Sequence, residues 1–111
     1  MSRNFDWSPS EKKIARAAYD RALEKRLSGF VAEFKRRAAA VNTVAEVWDV
    51  HDYVREEGKD IDMAFDYRYS QLITVFARLI HQGFLTESDL VGLAQDKLEA
   101  IRSMLAFYAR P

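Results

Sequence analysis

The sequence predicts an all-α fold, and three observations carry this prediction. The 111 residues include only two prolines, Pro9 and Pro111, and four glycines. No stretch alternates apolar and polar residues as a half-buried strand does. Long segments instead repeat their apolar residues at helical spacing. We therefore expect a long helical hairpin, the stalk, followed by a small helical head.

The first helix is predicted to begin at Ser8-Pro9-Ser10-Glu11. A serine N-cap and a glutamate at the third helical position form a capping box, and proline is favoured at the first helical position. Only Gly29 interrupts the segment that follows to about Val41, and one interior glycine costs only about 1 kcal/mol relative to alanine. We expect the helix to run through it. Its larger apolar residues have heptad-like spacing, at Leu23, Leu27, Phe30, Phe34 and Val41.

The length of this helix argues for self-association. A helix of about thirty residues is a rod of about 50 Å, whereas a compact chain of this size is about 35 Å across. One chain cannot enclose such a helix, so an apolar strip is left over. We expect a two-fold dimer in which paired hairpins form a four-helix-bundle-like interface.

The second helix is predicted to begin at Thr43, where Thr43 and Glu46 repeat the capping-box pattern. Gly58 is expected to end it. Asp60 or Asp62 is then expected to cap a third helix. This places the stalk at residues 9–58 and the head at 60–109, within a single helical domain of residues 1–111.

The third helix is almost wholly apolar from Leu72 to Ile80, which predicts the centre of the head. Gly83 is expected to end this helix. Thr86 then caps a short helix through Leu90 to Leu93. The apolar residues of the last helix are Leu98, Ile101, Met104, Leu105 and Tyr108.

Composition narrows the function classes. There is no cysteine, which excludes disulfides and thiolate-bound metals. Lys plus Arg equals Asp plus Glu, 17 against 17, so the chain lacks the bulk positive charge of most nucleic-acid binders. The start, Met1 to Trp7, has no export-signal pattern, and no apolar run approaches ~18 residues. We expect a cytoplasmic protein that neither spans a membrane nor binds nucleic acid, with Lys35-Arg36-Arg37 as the cationic end of the first helix.

Charge is distributed unevenly along the chain. Residues up to Asn42 include ten basic and five acidic side chains, whereas Thr43 to Asp66 include two and eight. Complementary segments of this kind are typical of neighbouring helices that lie side by side. A charge-reading partner site is the alternative interpretation.

The second helix carries the most unusual surface. Its valines at 47, 50 and 54 form one strip, suited to packing on the first helix. Within an arc of about 100° on another side lie an aromatic ring and several polar groups. Such residue types dominate the binding energy of protein interfaces, although a core tryptophan flanked by solvated side chains is the alternative. This second face consists of Val44, Trp48, His51, Asp52 and Arg55.

Catalysis and metal binding have no support in the sequence. His51 and Asp52 are consecutive on a helix and diverge by about 100°, which places them poorly for a proton relay. The two histidines, His51 and His81, have no metal-ligand spacing. No phosphate-binding loop, nucleophile elbow or paired-carboxylate motif occurs. We expect a protein that is not an enzyme and holds no metal.

Several segments resemble one known family. Val47-Trp48-Asp49-Val50-His51-Asp52-Tyr53 is followed by Ile61-Asp62 and then by Phe65-Asp66-Tyr67-Arg68-Tyr69-Ser70-Gln71-Leu72-Ile73. Asp89-Leu90-Val91-Gly92-Leu93 and Asp96-Lys97-Leu98 complete the pattern. These segments resemble the fluorescence recovery protein family of cyanobacterial photoprotection.

The resemblance extends from about Thr43 to Met104 and implies a function. It implies an all-helical homodimer without a cofactor that binds the photoactivated orange carotenoid protein, chiefly its C-terminal domain. Binding hastens the return of that protein to its resting orange form and ends energy quenching. The matching motif implies that Trp48, His51 and Asp52 lie around the dimer interface and contribute to activity. Such a protein would lie close to thylakoids only through its client.

Two departures from the family pattern leave an alternative open. The family continues past the His-Asp pair with an arginine-rich run that helps to bind the client, whereas this chain has Arg55 and then Glu56-Glu57-Gly58-Lys59. Phe84 stands where the family has a tryptophan. The alternative is a relative from outside the cyanobacteria, a helical adaptor that keeps the scaffold and binds a different client.

Overall fold

The computed structural model describes residues 5–110, and over that range the fold is all-α, as predicted. No strand occurs among these residues. Met1 to Asn4, part of the start tested for an export signal, and Pro111 lie outside the described range. The elements are α1 (Pro9–Ala39), α2 (Val44–Ala64), α3 (Leu72–His81), a one-turn 3-10 helix (Glu87–Leu90) and α4 (Gln95–Tyr108).

The capping box predicted for α1 is confirmed. The backbone N–H of Glu11 donates to the Ser8 hydroxyl at 3.2 Å, and the backbone N–H of Ser8 donates to Oε1 of Glu11 at 3.0 Å. The helix continues through Gly29, as expected, for 31 residues. Its length therefore follows from a strong start and a single weak interruption.

The predicted end of α2 is wrong. The helix begins at its Thr43 cap as expected but runs through Gly58 to Ala64, so Asp60 and Asp62 lie inside α2 and cap nothing. Tertiary contacts offset the cost of about 1 kcal/mol for an interior glycine. Glu57, next to the glycine, pairs with Arg26 of α1 at 3.1 Å, and Ile61 beyond it is buried.

A non-helical connection at residues 65–71 separates α2 from α3. Its aromatic side chains pack on α1, because the ring of Tyr19 makes edge-to-face contacts with Phe65 at 5.5 Å and with Tyr67 at 4.8 Å. The third helix consequently starts only at Leu72. It forms the centre of the head as predicted, with Phe76 fully buried.

The segment after α3 is shorter than predicted. Gly83 adopts a positive φ of 86° just after the helix ends, as its position predicts. Thr86 makes its capping box with Asp89, but the helix that follows is a single 3-10 turn that ends at Leu90. Gly92, with φ of 106°, then turns the chain into α4.

The core lies at one end of the molecule. Ala15, Ala18 and Ala22 in the first half of α1 are buried against α3, the 3-10 turn and α4. The rest of α1 and α2 projects as an arm of residues 23–64, which we call the distal hairpin. The molecule measures 53 × 32 × 21 Å, and its radius of gyration of 16.9 Å exceeds the value of about 13 Å for a compact chain of this length. The predicted elongation is confirmed, while the division into a 9–58 stalk and a 60–109 head stays a prediction.

Candidate functional site

All four residues predicted to be functional lie on α2 and are exposed. The side chain of Trp48 is 61% exposed, and His51, Asp52 and Arg55 are exposed as well. The spacing of these residues on an uninterrupted helix explains why they share one side. Within the described part of the chain, none of them forms a hydrogen bond or an ion pair with another helix.

The structure brings His51 into contact with both Trp48 and Asp52. The rings of Trp48 and His51 meet edge to face, with centroids 5.8 Å apart and planes at 83°. Nδ1 of His51 lies 3.4 Å from Oδ1 of Asp52, so the two side chains bend toward each other although their positions on the helix diverge. A long contact between two exposed groups does not orient an imidazole as a buried carboxylate would. Arg55 lies about one turn further along α2.

An apolar groove runs between the arms of the distal hairpin, with a volume of about 430 Å³. We call it the interhelical groove. The valine strip of α2 faces α1 across it, as the sequence predicted, yet Val47 stays 48% exposed. The groove is therefore open to solvent at Val47. Its lining residues are Phe34, Ala38, Val41, Val47, Val50, His51 and Val54.

The heptad-like residues of α1 differ in burial. Leu23 packs on the core and Phe30 faces Tyr53 of α2, with ring centroids 6.0 Å apart. Leu27 and Phe34 are at least 40% exposed, as is Val31 beside them. Together with α2 they form an exposed apolar surface, which we call the stalk face. It consists of Leu27, Val31, Phe34, Val44, Val47 and Trp48.

The acidic run after Arg55 is held by contacts within the hairpin. Glu57 accepts from Arg26 at 3.1 Å and from the Tyr53 hydroxyl at 3.3 Å. Burial, followed by the charge of Glu57, raises the pKa of Tyr53 above its usual value. Glu57 therefore joins the two arms of the hairpin, as complementary charge on the first two helices predicted.

A second cavity, which sequence reasoning missed, lies where the distal hairpin meets α3. This junction cleft has a volume of about 500 Å³ and is lined by Arg26, Glu57, Asp60, Met63, Ala64, Arg78, Gln82 and Phe84. The prediction assigned Asp60 to Ala64 to the third helix and therefore to the head, whereas they belong to α2. The signal that could have revealed it is the absence of a helix breaker stronger than Gly58 between Thr43 and Phe65.

Metal-binding clusters and membrane-spanning helices are both absent from the described residues. Among them, no three His, Cys, Asp or Glu side chains gather in a way that could hold a metal ion. Within the same residues, no helix combines the length and apolar character needed to cross a membrane.

Comparison with known proteins decides the family. A family model described as "Photoprotection regulator fluorescence recovery protein" matches residues 7–105. The chain belongs to the fluorescence recovery protein family. The fluorescence recovery protein of Synechocystis sp. is 31% identical over 98 residues, which are 88% of this chain and 90% of that relative.

Solved structures of fluorescence recovery proteins share this fold. The protein from Fremyella diplosiphon matches with a TM-score of 0.87 at 35% identity, over 92% of this chain and 99% of that one. The protein from Synechocystis sp. PCC 6803 matches with a TM-score of 0.86 at 31% identity, over the same shares of the two chains.

The family membership predicted from the sequence motifs is thus confirmed. The matched range includes the whole of α1, α2 and α3 and most of α4. Fluorescence recovery proteins are regulators of photoprotection, and this chain has that family role.

Proposed function

We propose that this chain is a non-enzymatic homodimer that binds photoactivated orange carotenoid protein at its C-terminal domain and accelerates its return to the resting orange form. It acts in the cytoplasm by binding alone, without a cofactor. The observation that carries the proposal is Trp48, which is 61% exposed at the edge of an apolar face in a fluorescence recovery protein. A side chain of this size left in water is typical of a binding surface.

The stalk face supports the dimer. Its six apolar side chains are exposed on two neighbouring helices, beside a groove whose lining includes one polar side chain, His51, among the described residues. Contiguous apolar surface of this kind is rare on monomeric proteins and marks interaction sites. A second hairpin laid along it by two-fold symmetry would complete a four-helix bundle.

The predicted site residues have distinct roles in this proposal. Trp48 supplies apolar area at the interface, and His51, which touches both the Trp48 ring and the groove, joins the tryptophan to the dimer contact. Asp52 and Arg55 lie at the polar rim, where charged groups favour specificity over affinity.

Red-to-orange recovery tests the proposal directly. Photoactivated orange carotenoid protein is mixed with the wild-type chain, and the decay of the red absorbance is timed in the dark. We expect faster decay with the wild type and a loss of most of that acceleration with Trp48→Ala. Phe107→Ala is the matched control, because Phe107 is an equally exposed aromatic residue on α4, outside the stalk face. A folded, dimeric wild-type protein without effect on the decay would contradict the proposal.

A second candidate function is an adaptor on the same scaffold for a different client. The charge run favours it, because Glu57 pairs with Arg26 and Glu56 lies 3.9 Å from Lys59. Arg55, the first cation of this run, has no ion-pair partner among the described residues. A client of this surface would be retained from native extract by the wild type and lost with Trp48→Ala, as measured by quantitative mass spectrometry.

A further inference from the structure

Sulfur is scarce in this chain, and one sulfur-containing side chain is open to solvent. The sequence has no cysteine and three methionines. Met1 lies outside the described residues, and Met104 of α4 is partly buried against the core. Met63 of α2 is 74% exposed, the highest exposed fraction among the large apolar side chains described. Among the described residues, an oxidant that attacks sulfur therefore meets Met63 first.

The surroundings of Met63 suit an oxidised thioether. Met63 lines the junction cleft, whose volume of about 500 Å³ is far larger than a peroxide molecule. Arg78 and Gln82 line the same cleft, and their side chains form no hydrogen bond or ion pair among the described residues. A thioether sulfur is a weak acceptor, whereas methionine sulfoxide is polar. On oxidation, these two donors therefore gain an acceptor in the cleft.

Met63 also lies on the side of α2 that carries the candidate site. It follows Asp52 by eleven positions, which at ~100° per residue returns it to within about 20° of Asp52, about three turns further along the helix. Trp48 lies about 60° away in the same projection. A change of polarity at Met63 therefore alters the face of α2 that is proposed to bind.

Hydrogen peroxide oxidises a thioether by transferring one oxygen atom. The sulfur gives an electron pair to one peroxide oxygen, and the O–O bond breaks as the S–O bond forms. The proton of the transferred oxygen moves to the departing oxygen, which leaves as water. The sulfur is thereby oxidised by two electrons and the peroxide reduced by two. Methionine sulfoxide reductases reverse the change.

We propose that Met63 is a reversible oxidation site, at which hydrogen peroxide forms a methionine sulfoxide that weakens binding by the face of α2 that carries Trp48 and Asp52. The functional part rests on the proposed function, because the sulfoxide lowers the acceleration of red-to-orange recovery. A polar group takes the place of an apolar one on a binding surface, and such a group resists burial unless it is hydrogen-bonded. Arg78 and Gln82 offer those hydrogen bonds within the cleft, away from a bound protein.

Peroxide treatment followed by peptide mass spectrometry tests the modification. The folded protein is treated with dilute hydrogen peroxide, and catalase stops the reaction. We expect the peptide with Met63 to gain one oxygen atom well before the peptide with Met104. Urea-unfolded protein is the control, because both methionines are then exposed and should oxidise at similar rates. Equal rates for the two in the folded protein would overturn the site.

The functional test compares each protein with its own untreated sample. The oxidised wild type should need roughly tenfold more protein for half-maximal acceleration of recovery, which is about 1.4 kcal/mol of binding free energy. Met104→Leu should show the same loss after peroxide. Met63→Leu, which keeps an apolar side chain without sulfur, should show none. Methionine sulfoxide reductases for both sulfoxide epimers should restore the oxidised wild type.

The other outcomes separate the two proposals. An oxidised wild type with an unchanged half-maximal concentration would overturn the effect of the sulfoxide and leave the proposed function intact. An equal loss in the wild type and in Met63→Leu would also overturn it, because the loss would then come from another side chain. An untreated wild type without effect on recovery would contradict the proposed function and the functional part of this proposal. The preference of peroxide for Met63 would still be read from the mass spectra.

Discussion

Nζ of Lys97 lies 3.0 Å from Oε2 of Glu11, and the two side chains are 3% and 9% exposed. The same carboxylate accepts the backbone N–H of Ala94 at 2.9 Å and that of Ser8 at 3.0 Å. Glu11 therefore both caps α1 and ties the start of α4 to it. Because a buried ion needs all its partners, this one glutamate makes the fold of the head depend on the start of α1.

Glu11→Gln should destabilise the protein strongly. The substitution removes the nearest counter-ion of the buried Lys97 ammonium and leaves it only Asp96, whose Oδ1 lies 4.0 Å away and whose side chain is half exposed. Removing one partner of a buried ion pair costs about 3–5 kcal/mol. Urea unfolding at one fixed protein concentration measures the loss. Arg102→Gln is the control, since Arg102 and Glu87 form an exposed pair, and such pairs contribute at most about 1 kcal/mol.

A double substitution tests the cause of that loss. If Glu11→Gln acts through the unpaired charge, then Glu11→Leu combined with Lys97→Met removes both charges and should regain a large part of the stability. A double variant as unstable as the sum of the two single variants would instead assign the loss to the capping box with Ser8 and to the bond from Ala94.

The stability of the wild type should fall in acid through Glu11. Burial alone raises the pKa of Glu11, but the N–H groups of Ala94 and Ser8 and the ammonium of Lys97 outweigh it and lower the pKa to about 2. Because the folded pKa lies below the unfolded value of about 4.3, the unfolded state binds more protons between these values. The contribution of Glu11 is fully present above pH ~4.5 and is lost as pH falls toward 2.

At neutral pH the contribution of Glu11 to the unfolding free energy is about 3 kcal/mol, because its folded pKa of about 2 lies below the unfolded value of about 4.3. Urea unfolding at several pH values between 3 and 6 should show a steeper fall of the unfolding free energy for the wild type than for Glu11→Gln. Parallel curves for the two proteins would contradict the assignment of this acid sensitivity to Glu11.

Helix starts were predictable from the sequence because their signals are local. The capping residues Ser8 and Glu11 lie within one turn, and so do Thr43 and Glu46. The partnership of Glu11 with Lys97 was not predictable, because it joins helices far apart in sequence. A glutamate at this position of a capping box reads as an exposed first-turn residue until the packing of α4 is known.

Gly29 and Gly58 show why the end of α2 was misplaced. Both are interior helical glycines, and only the first was predicted to be tolerated. The difference lay in the neighbouring residues, since Asp60 and Asp62 offered alternative caps. The pairing of Arg26 with Glu57 decides against them, and it depends on the register of the hairpin.

The candidate site was predicted only in part, because only part of it depends on relations that are local in sequence. Helical periodicity placed Trp48, His51, Asp52 and Arg55 together on an exposed side of α2, because that relation is local. The junction cleft needs the contact between α2 and α3, which no local pattern specifies.

Gly29→Ala and Gly58→Ala should each stabilise the protein by about 1 kcal/mol. A Cβ atom added at either position meets nothing within 4 Å, and alanine loses less backbone entropy in a helix than glycine does. Thermal or urea unfolding measures the gain. Gly92→Ala is the opposite control, because its φ is +106° and a Cβ there lies 2.5 Å from Cδ1 of Ile14. A loss of stability at Gly58 would show that another surface covers this position in the assembled protein.

A charge placed in the stalk face should separate the proposed dimer. Val47 lines the interhelical groove and is 48% exposed in the single chain, so a two-fold partner on the stalk face would bury it. Val47→Asp would then place a carboxylate in an apolar contact, which costs several kcal/mol unless the group is paired. Sedimentation equilibrium over a range of concentrations should give the monomer mass for this variant and the dimer mass for the wild type.

Val91→Asp is the matched control for this prediction. Val91 is 73% exposed but lies after the 3-10 turn, remote in sequence from the distal hairpin. The same substitution there introduces the same charge and should leave the dimer mass unchanged. If Val47→Asp kept the dimer mass while Val91→Asp lost it, the self-association surface would lie on the head. A new carboxylate disrupts self-association only where it would be buried between the two copies.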